Sequence, residues 1–136
     1  SHLPDLEGLD VDFIPVCPEE AGNLGTPRPA AEMQKGAESI LNGNGSVVDN
    51  NGKDVTEKFI HGAEESLKTG INSGAEYAIL KSRSPSCGVG KIYDGSFTNS
   101  LIDGDGIFAH LCRQKGIHCI SSDELDKIKN TLEKLK

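Results

Sequence analysis

The sequence carries four cysteines, Cys17, Cys87, Cys112 and Cys119, and thiolates of this kind can bind a metal or attack a substrate. The steps between them are 70, 25 and 7 residues. No CxxC occurs, which argues against a zinc ribbon or a thioredoxin-type pair. The contiguous spacing of a ferredoxin is also absent. A small buried hydrophobe is the ordinary role of a lone cysteine, and disulfides are not the first expectation in a cytosolic chain. Context separates the four into two pairs. Cys17 and Cys87 each follow an apolar run and stand in a polar, turn-forming segment. Cys112 and Cys119 fall inside a predicted helix and a predicted strand, where packing is the expected role.

The groups around the first pair suggest chemistry. Cys17 opens Cys17-Pro18-Glu19-Glu20, and a carboxylate two residues from a thiolate can serve as a general acid or base. Simple exposure of Glu19 and Glu20 is the plain alternative. Cys87 lies in Lys81-Ser82-Arg83-Ser84-Pro85-Ser86-Cys87-Gly88-Val89-Gly90. Its backbone N–H groups, three serines, Lys81 and Arg83 form a candidate cradle for an anion or polar ligand. A Ser-rich turn with solvated charges is the alternative. The loop is not a Walker A motif. Nor is it a cysteine-phosphatase loop, because Tyr93 stands where an Arg would follow Cys87. Arg28 sits between Pro27 and Pro29, a rigid segment able to hold a guanidinium toward a loop, or simply a surface turn. Asp103 and Asp105 resemble the start of a calcium loop, but the ligand series breaks off.

These residues need elements to position them. Val11–Val16 predicts a strand, of edge type because of Pro15, and residues 18–36 predict a loop. Ser46–Asp49 predicts a strand followed by an Asn51-Gly52 turn. Asp54 and Glu57 have capping-box spacing. Val55, Phe59, Ile60, Ala63, Leu67 and Ile71 then form a helical stripe that Gly74 ends. Tyr77–Leu80 predicts a buried strand leading into the serine loop. Residues 91–104 read as turns, Ile107–Lys115 as a helix ended by Gly116, and Ile117–Ile120 as a strand. Ser121 and Glu124 begin a last helix with Leu125, Ile128, Leu132 and Leu135 on its buried stripe. Alternating strands and helices predict an α/β fold, three-layer and Rossmann-like, with a mostly parallel sheet and helices on both faces. Ligands of such sheets lie beyond the carboxyl ends of the strands, where Cys17 and Cys87 are both expected.

The 136 residues fit one domain, 1–136. A formal charge of −7 argues against a broad nucleic-acid footprint and against docking on an anionic membrane. No apolar run approaches the ~18 to 20 residues of a spanning helix, and none resembles a signal peptide, so the cytoplasm is the expected location.

The segments VCPEEAGNLGTPRPAAEM, GKDVTEKFIHGAE, AILKSRSPSCGVGKIYDGSF and DGDGIFAHLCRQKGI together resemble the DUF523 family, which includes the thiouracil desulfidases. The resemblance spans residues 11–121. It implies a [4Fe-4S] cluster held by three cysteines, with one iron open to the sulfur of a thiocarbonyl such as 2- or 4-thiouracil. Water replaces that sulfur at carbon without net redox change, which is Lewis-acid chemistry at an open position. Cys17 and Cys87 match two cluster ligands, and Glu19 matches a proton carrier. Ser84 is the polar group expected nearest the substrate, with Ser82 and Ser86 beside it, and Lys81 and Arg28 join them as substrate-binding candidates. Family members begin with a strand carrying an A-C-L-x-G-type motif that supplies the first ligand. Here 16 residues precede Cys17 and none is Cys. The chain is therefore expected to be N-terminally incomplete, to hold a cluster weakly or lose it, and either to be unstable alone or to pair as a homodimer through an exposed sheet edge. A thiolated pyrimidine is the expected small-molecule partner. The competing readings are a non-enzymatic module whose serine loop binds a small anion or nucleotide, and a structural or regulatory fragment.

Overall fold

In the computed structural model, which describes residues 14–24, 29–81 and 84–121, short helices and strands alternate. The order is α1 (Pro18–Ala21), β1 (Ala31–Gln34), α2 (Ala37–Leu41), β2 (Ser46–Asp49), α3 (Thr56–Asn72), β3 (Tyr77–Leu80), β4 (Lys91–Tyr93), β5 (Leu101–Asp103), α4 (Ile107–Gln114) and β6 (His118–Ser121). The fold is α/β, as the alternation predicts. β3 and β6 run parallel, with Tyr77 opposite His118 and Leu80 opposite Ser121. They form a βαβ crossover through α4, with the antiparallel β4–β5 hairpin inserted ahead of the helix. β1 and β2 make a second antiparallel pair.

α3 forms where the stripe predicts. Val55, Phe59, Ala63 and Leu67 recur every four residues and are buried, while Ile60 is half-buried. Ile71 departs from the expectation and is 47% exposed, because it lies in the last turn beyond the packed part of the helix. The helix start also differs from a capping box. Asp54 Oδ1 accepts from both the backbone N–H and the hydroxyl of Thr56, and Thr56 Oγ1 in turn accepts the Val47 N–H at 2.9 Å. The cap is thus shared with β2 rather than closed by Glu57. Gly74 ends the helix with a φ of 73°. α3 packs on α4, α4 on β6 and α2, and the core runs between them through Phe59, Ala63, Ile107, Phe108 and Cys112.

Two segments read as irregular carry structure. In 18–36, Pro18 stands at the first position of α1, where its missing N–H costs nothing. β1 in the same segment is built from Ala, Glu, Met and Gln, residues with helical preference. Tertiary contacts override that preference: Glu32 is 8% exposed, and its Oε1 accepts the Gly95 N–H at 2.9 Å and the Phe97 N–H at 3.2 Å. The same carboxylate ties down the tip of the β4–β5 hairpin, which residues 91–104 do not announce because each strand is three residues long. Ile14–Val16 form no strand, and the remainder of the predicted 11–16 strand lies outside the described residues, as does the last predicted helix.

Candidate functional site

α1 positions Cys17. The residue is the N-cap of α1, and its carbonyl accepts the Ala21 N–H at 2.9 Å. α1 lies against α3 at a contact that only glycine permits. A Cβ on Gly62 would stand 1.8 Å from the Pro18 carbonyl oxygen, and one on Gly22 would stand 2.0 Å from the Lys58 carbonyl oxygen. Two backbones therefore touch directly, and the loop bearing Cys17 and Glu19 is held to a rigid helix.

Cys87 is held from the other side. The Ser84 hydroxyl accepts the N–H of Ser86 at 3.0 Å and of Cys87 at 2.9 Å, and the Ser84 carbonyl accepts the Gly88 N–H at 2.9 Å. This turn docks on the start of α4: the Ile107 N–H donates to Pro85 O at 2.7 Å, and the Ala109 N–H to Ser86 O at 3.1 Å. Gly106 approaches so closely that a Cβ there would stand 2.4 Å from the Ser86 carbonyl. Asp105 completes the lock, accepting the Gly90 N–H at 2.9 Å and pairing with Arg113 at 2.8 Å. Asp103 pairs with Lys91.

The two cysteines, 70 residues apart in sequence, act on each other. Burial pushes the Cys87 thiol up to about 12, and the negative charges of Glu19 and Cys17 add to the shift. The Ser86 and Ser84 hydroxyls oppose it by favouring the thiolate. Ser86 is fully buried, and its Oγ has no partner at ordinary hydrogen-bond geometry among the described residues. Cys17 is partly exposed and borders a cavity of about 220 Å³ lined by Pro15, Val16, Ala21, Glu65, Ser66 and Thr69. That is below the ~300 Å³ of the smallest drug-sized pockets and is of the order of a single ring.

Lys81 stands exposed at the end of β3. Ser82 and Arg28 lie outside the described residues. Glu65, Ser66 and Thr69 were not singled out in the sequence, although the four-residue step from Glu65 to Thr69 marks one helix face. Asp105 was read only as part of an incomplete calcium-loop pattern, and Gly106 was not singled out. Cys112 and Cys119 are buried, as expected of packing residues.

The donor set bears on a metal group. A thiolate-held cubane takes about four ligands. The described residues bring two thiols and a carboxylate together here, and no three His, Cys, Asp or Glu side chains among them gather at ligating separation. The chemistry fits nonetheless as a partial set. Negative groups converge on a buried sulfur beside an unpartnered hydroxyl, and a cation relieves that repulsion.

Comparison with known proteins agrees with this fold. A solved structure of the [4Fe-4S]-dependent thiouracil desulfidase TudS (DUF523Vcz) matches with a TM-score of 0.76 and 40% identity, covering 88% of this chain and 74% of that one. YbbK of Bacillus subtilis (strain 168) is 42% identical over 116 residues, 85% of this chain and 77% of that protein. None of the described helices is long and apolar enough to cross a membrane. The model of the family described as 2-thiouracil desulfurase matches residues 3–124, and the chain belongs to that family, DUF523.

Proposed function

We propose that this chain removes sulfur from a thiocarbonyl of the thiouracil type, at an iron–sulfur group held through Cys17 and Cys87. One observation carries the reading: Cys17, Glu19 and Cys87 come from distant segments and converge within electrostatic reach. The thiouracil desulfidase that this chain resembles over 88% of its length supports it. Held by Cys17 and Cys87, the group would supply Lewis acidity toward the thiocarbonyl sulfur, with no net redox change.

The chain's own residues do the rest. Cys17 and Cys87 bind the group as thiolates, which for Cys87 requires a cation to offset its burial. Glu19 takes a proton from the water that attacks the carbon and passes it to the departing sulfide. Ser84 Oγ already accepts two backbone N–H groups, so its O–H is left to donate toward sulfur or substrate. Ser86 donates beside it. The cavity at Cys17 admits the pyrimidine ring. Lys81, Ser82 and Arg28 remain the substrate-binding candidates that the sequence offers. The small-anion alternative is less well supplied, because the N–H groups of Ser86, Cys87 and Gly88 are spent on Ser84.

The test is anaerobic reconstitution with iron and sulfide, followed by visible absorbance and by sulfide release from 2- and 4-thiouracil. The expected result is a coloured protein that yields sulfide and uracil. A colourless, iron-free product that yields no sulfide overturns the reading.

A further inference from the structure

The turn that carries Cys87 seals one polar atom inside the protein without a partner. Ser86 is 0% exposed, and its Oγ makes no hydrogen bond among the described residues. A buried hydroxyl left in this state costs stability, so its retention needs a physical reason. The backbone around it is fixed. The Ser86 N–H donates to Ser84 Oγ at 3.0 Å, and the Ser86 carbonyl accepts the Ala109 N–H at 3.1 Å. α4 lies directly against the residue, because a Cβ on Gly106 would stand 2.4 Å from that carbonyl. The other carbonyls of the turn are in use as well: Ser84 O accepts from Gly88, and Pro85 O accepts from Ile107.

Cys87 is the next residue in the chain, itself only 8% exposed, and its N–H shares Ser84 Oγ with that of Ser86. The two side chains thus leave one tight, buried turn, with consecutive Cα atoms about 3.8 Å apart. A thiol sulfur is a weak acceptor, whereas a metal-bound thiolate is anionic and takes a strong, charge-assisted hydrogen bond. We propose that Ser86 is a positioning residue for the metal group: its hydroxyl donates to the Cys87 sulfur once that sulfur ligates iron, and so holds the iron in place. Ser84 and Ser86 then divide their roles by depth. The half-buried Ser84 shapes the turn with its lone pairs, and the sealed Ser86 serves the ligating sulfur. The hydroxyl destabilises the metal-free fold and stabilises the loaded one, as an outer-shell partner of a ligand does. The inference rests on the proposed function in taking Cys87 as a ligand.

Ser86→Ala tests this through two readouts, neither of them turnover. In metal-free protein the variant should melt about 4 °C above the wild type, because it removes a buried hydroxyl that has no partner. Both proteins are then reconstituted anaerobically with iron and sulfide and mixed with the iron chelator bathophenanthroline disulfonate. The variant should release its iron about 10-fold faster, the penalty for losing an outer-shell hydrogen bond to a ligand. A gain without metal and a loss with it is a pair of signs that a merely structural serine does not produce. An equal or lower Tm for the metal-free variant, or a variant that fails to fold, shows that the hydroxyl is bonded in the metal-free protein and overturns the proposal. Equal rates of iron release overturn it too, while leaving the desulfidase reading intact. A wild type that takes up no iron overturns both.

Discussion

Substituting alanine for one of two glycines in α3 separates backbone packing from helix propensity. At Gly70 nothing lies within 4 Å of an added Cβ. Gly70→Ala should therefore gain the ordinary helical advantage of about 1 kcal/mol. At Gly62 the same methyl meets the Pro18 carbonyl oxygen at 1.8 Å and the Gly22 nitrogen at 2.8 Å. Real Cβ contacts stay above 3.0 Å, so α1 must retreat from α3 by about 1.2 Å. Overpacking of this kind costs about 1–3 kcal/mol, which cancels or exceeds the propensity gain. The two variants should thus differ by about 1–3 kcal/mol, or roughly 4–12 °C in Tm at about 4 °C per kcal/mol for a chain of this size. Thermal unfolding followed by circular dichroism measures it. Because Cys17 rides on α1, Gly62→Ala should also hold less iron than Gly70→Ala after reconstitution. Equal melting temperatures for the two variants would refute the claim that a glycine-only contact positions the Cys17 loop.

Cys17→Ser and Cys87→Ser should each lose most bound iron in a colorimetric assay, whereas Cys112→Ser should retain it; equal retention in all three would remove the cluster assignment. Glu19→Gln should keep the iron yet release sulfide more slowly, and unchanged turnover would take Glu19 out of the mechanism. Metal-free protein should lose stability at alkaline pH. The neutral Cys87 thiol contributes fully below its ordinary 9.0, and the contribution fades as pH rises through about 12. Tm measured from neutral pH upward should fall more steeply across that window for the wild type than for Cys87→Ala, and parallel curves would contradict the burial argument. Asp54→Ala should cost about 1 kcal/mol by removing the acceptor for the Thr56 N–H, seen as a lower Tm.

The periodic elements were legible in the order of residues. α3, β3, α4 and β6 each carry a pattern whose period matches its structure, so local burial alone specifies them. Cys17 and Cys87 were legible as a pair because each interrupts an apolar run with proline, serine or glycine. Other features depend on partners distant in the chain. β1 is a strand because Glu32 meets Gly95 and Phe97 across more than sixty positions, a bond that propensity cannot anticipate. The approach of α1 to α3 rests on Gly22 and Gly62, each unremarkable by itself. Ser84 was chosen for its hydroxyl, but its engagement with two backbone amides emerges only when the turn closes on α4. The identity of the reactive atoms is therefore written in composition and spacing, since thiols and carboxylates keep their chemistry in any fold. Their mutual distance and the raised pKa of Cys87 belong to the folded chain, because burial and through-space charge exist only once remote segments share one low-dielectric interior.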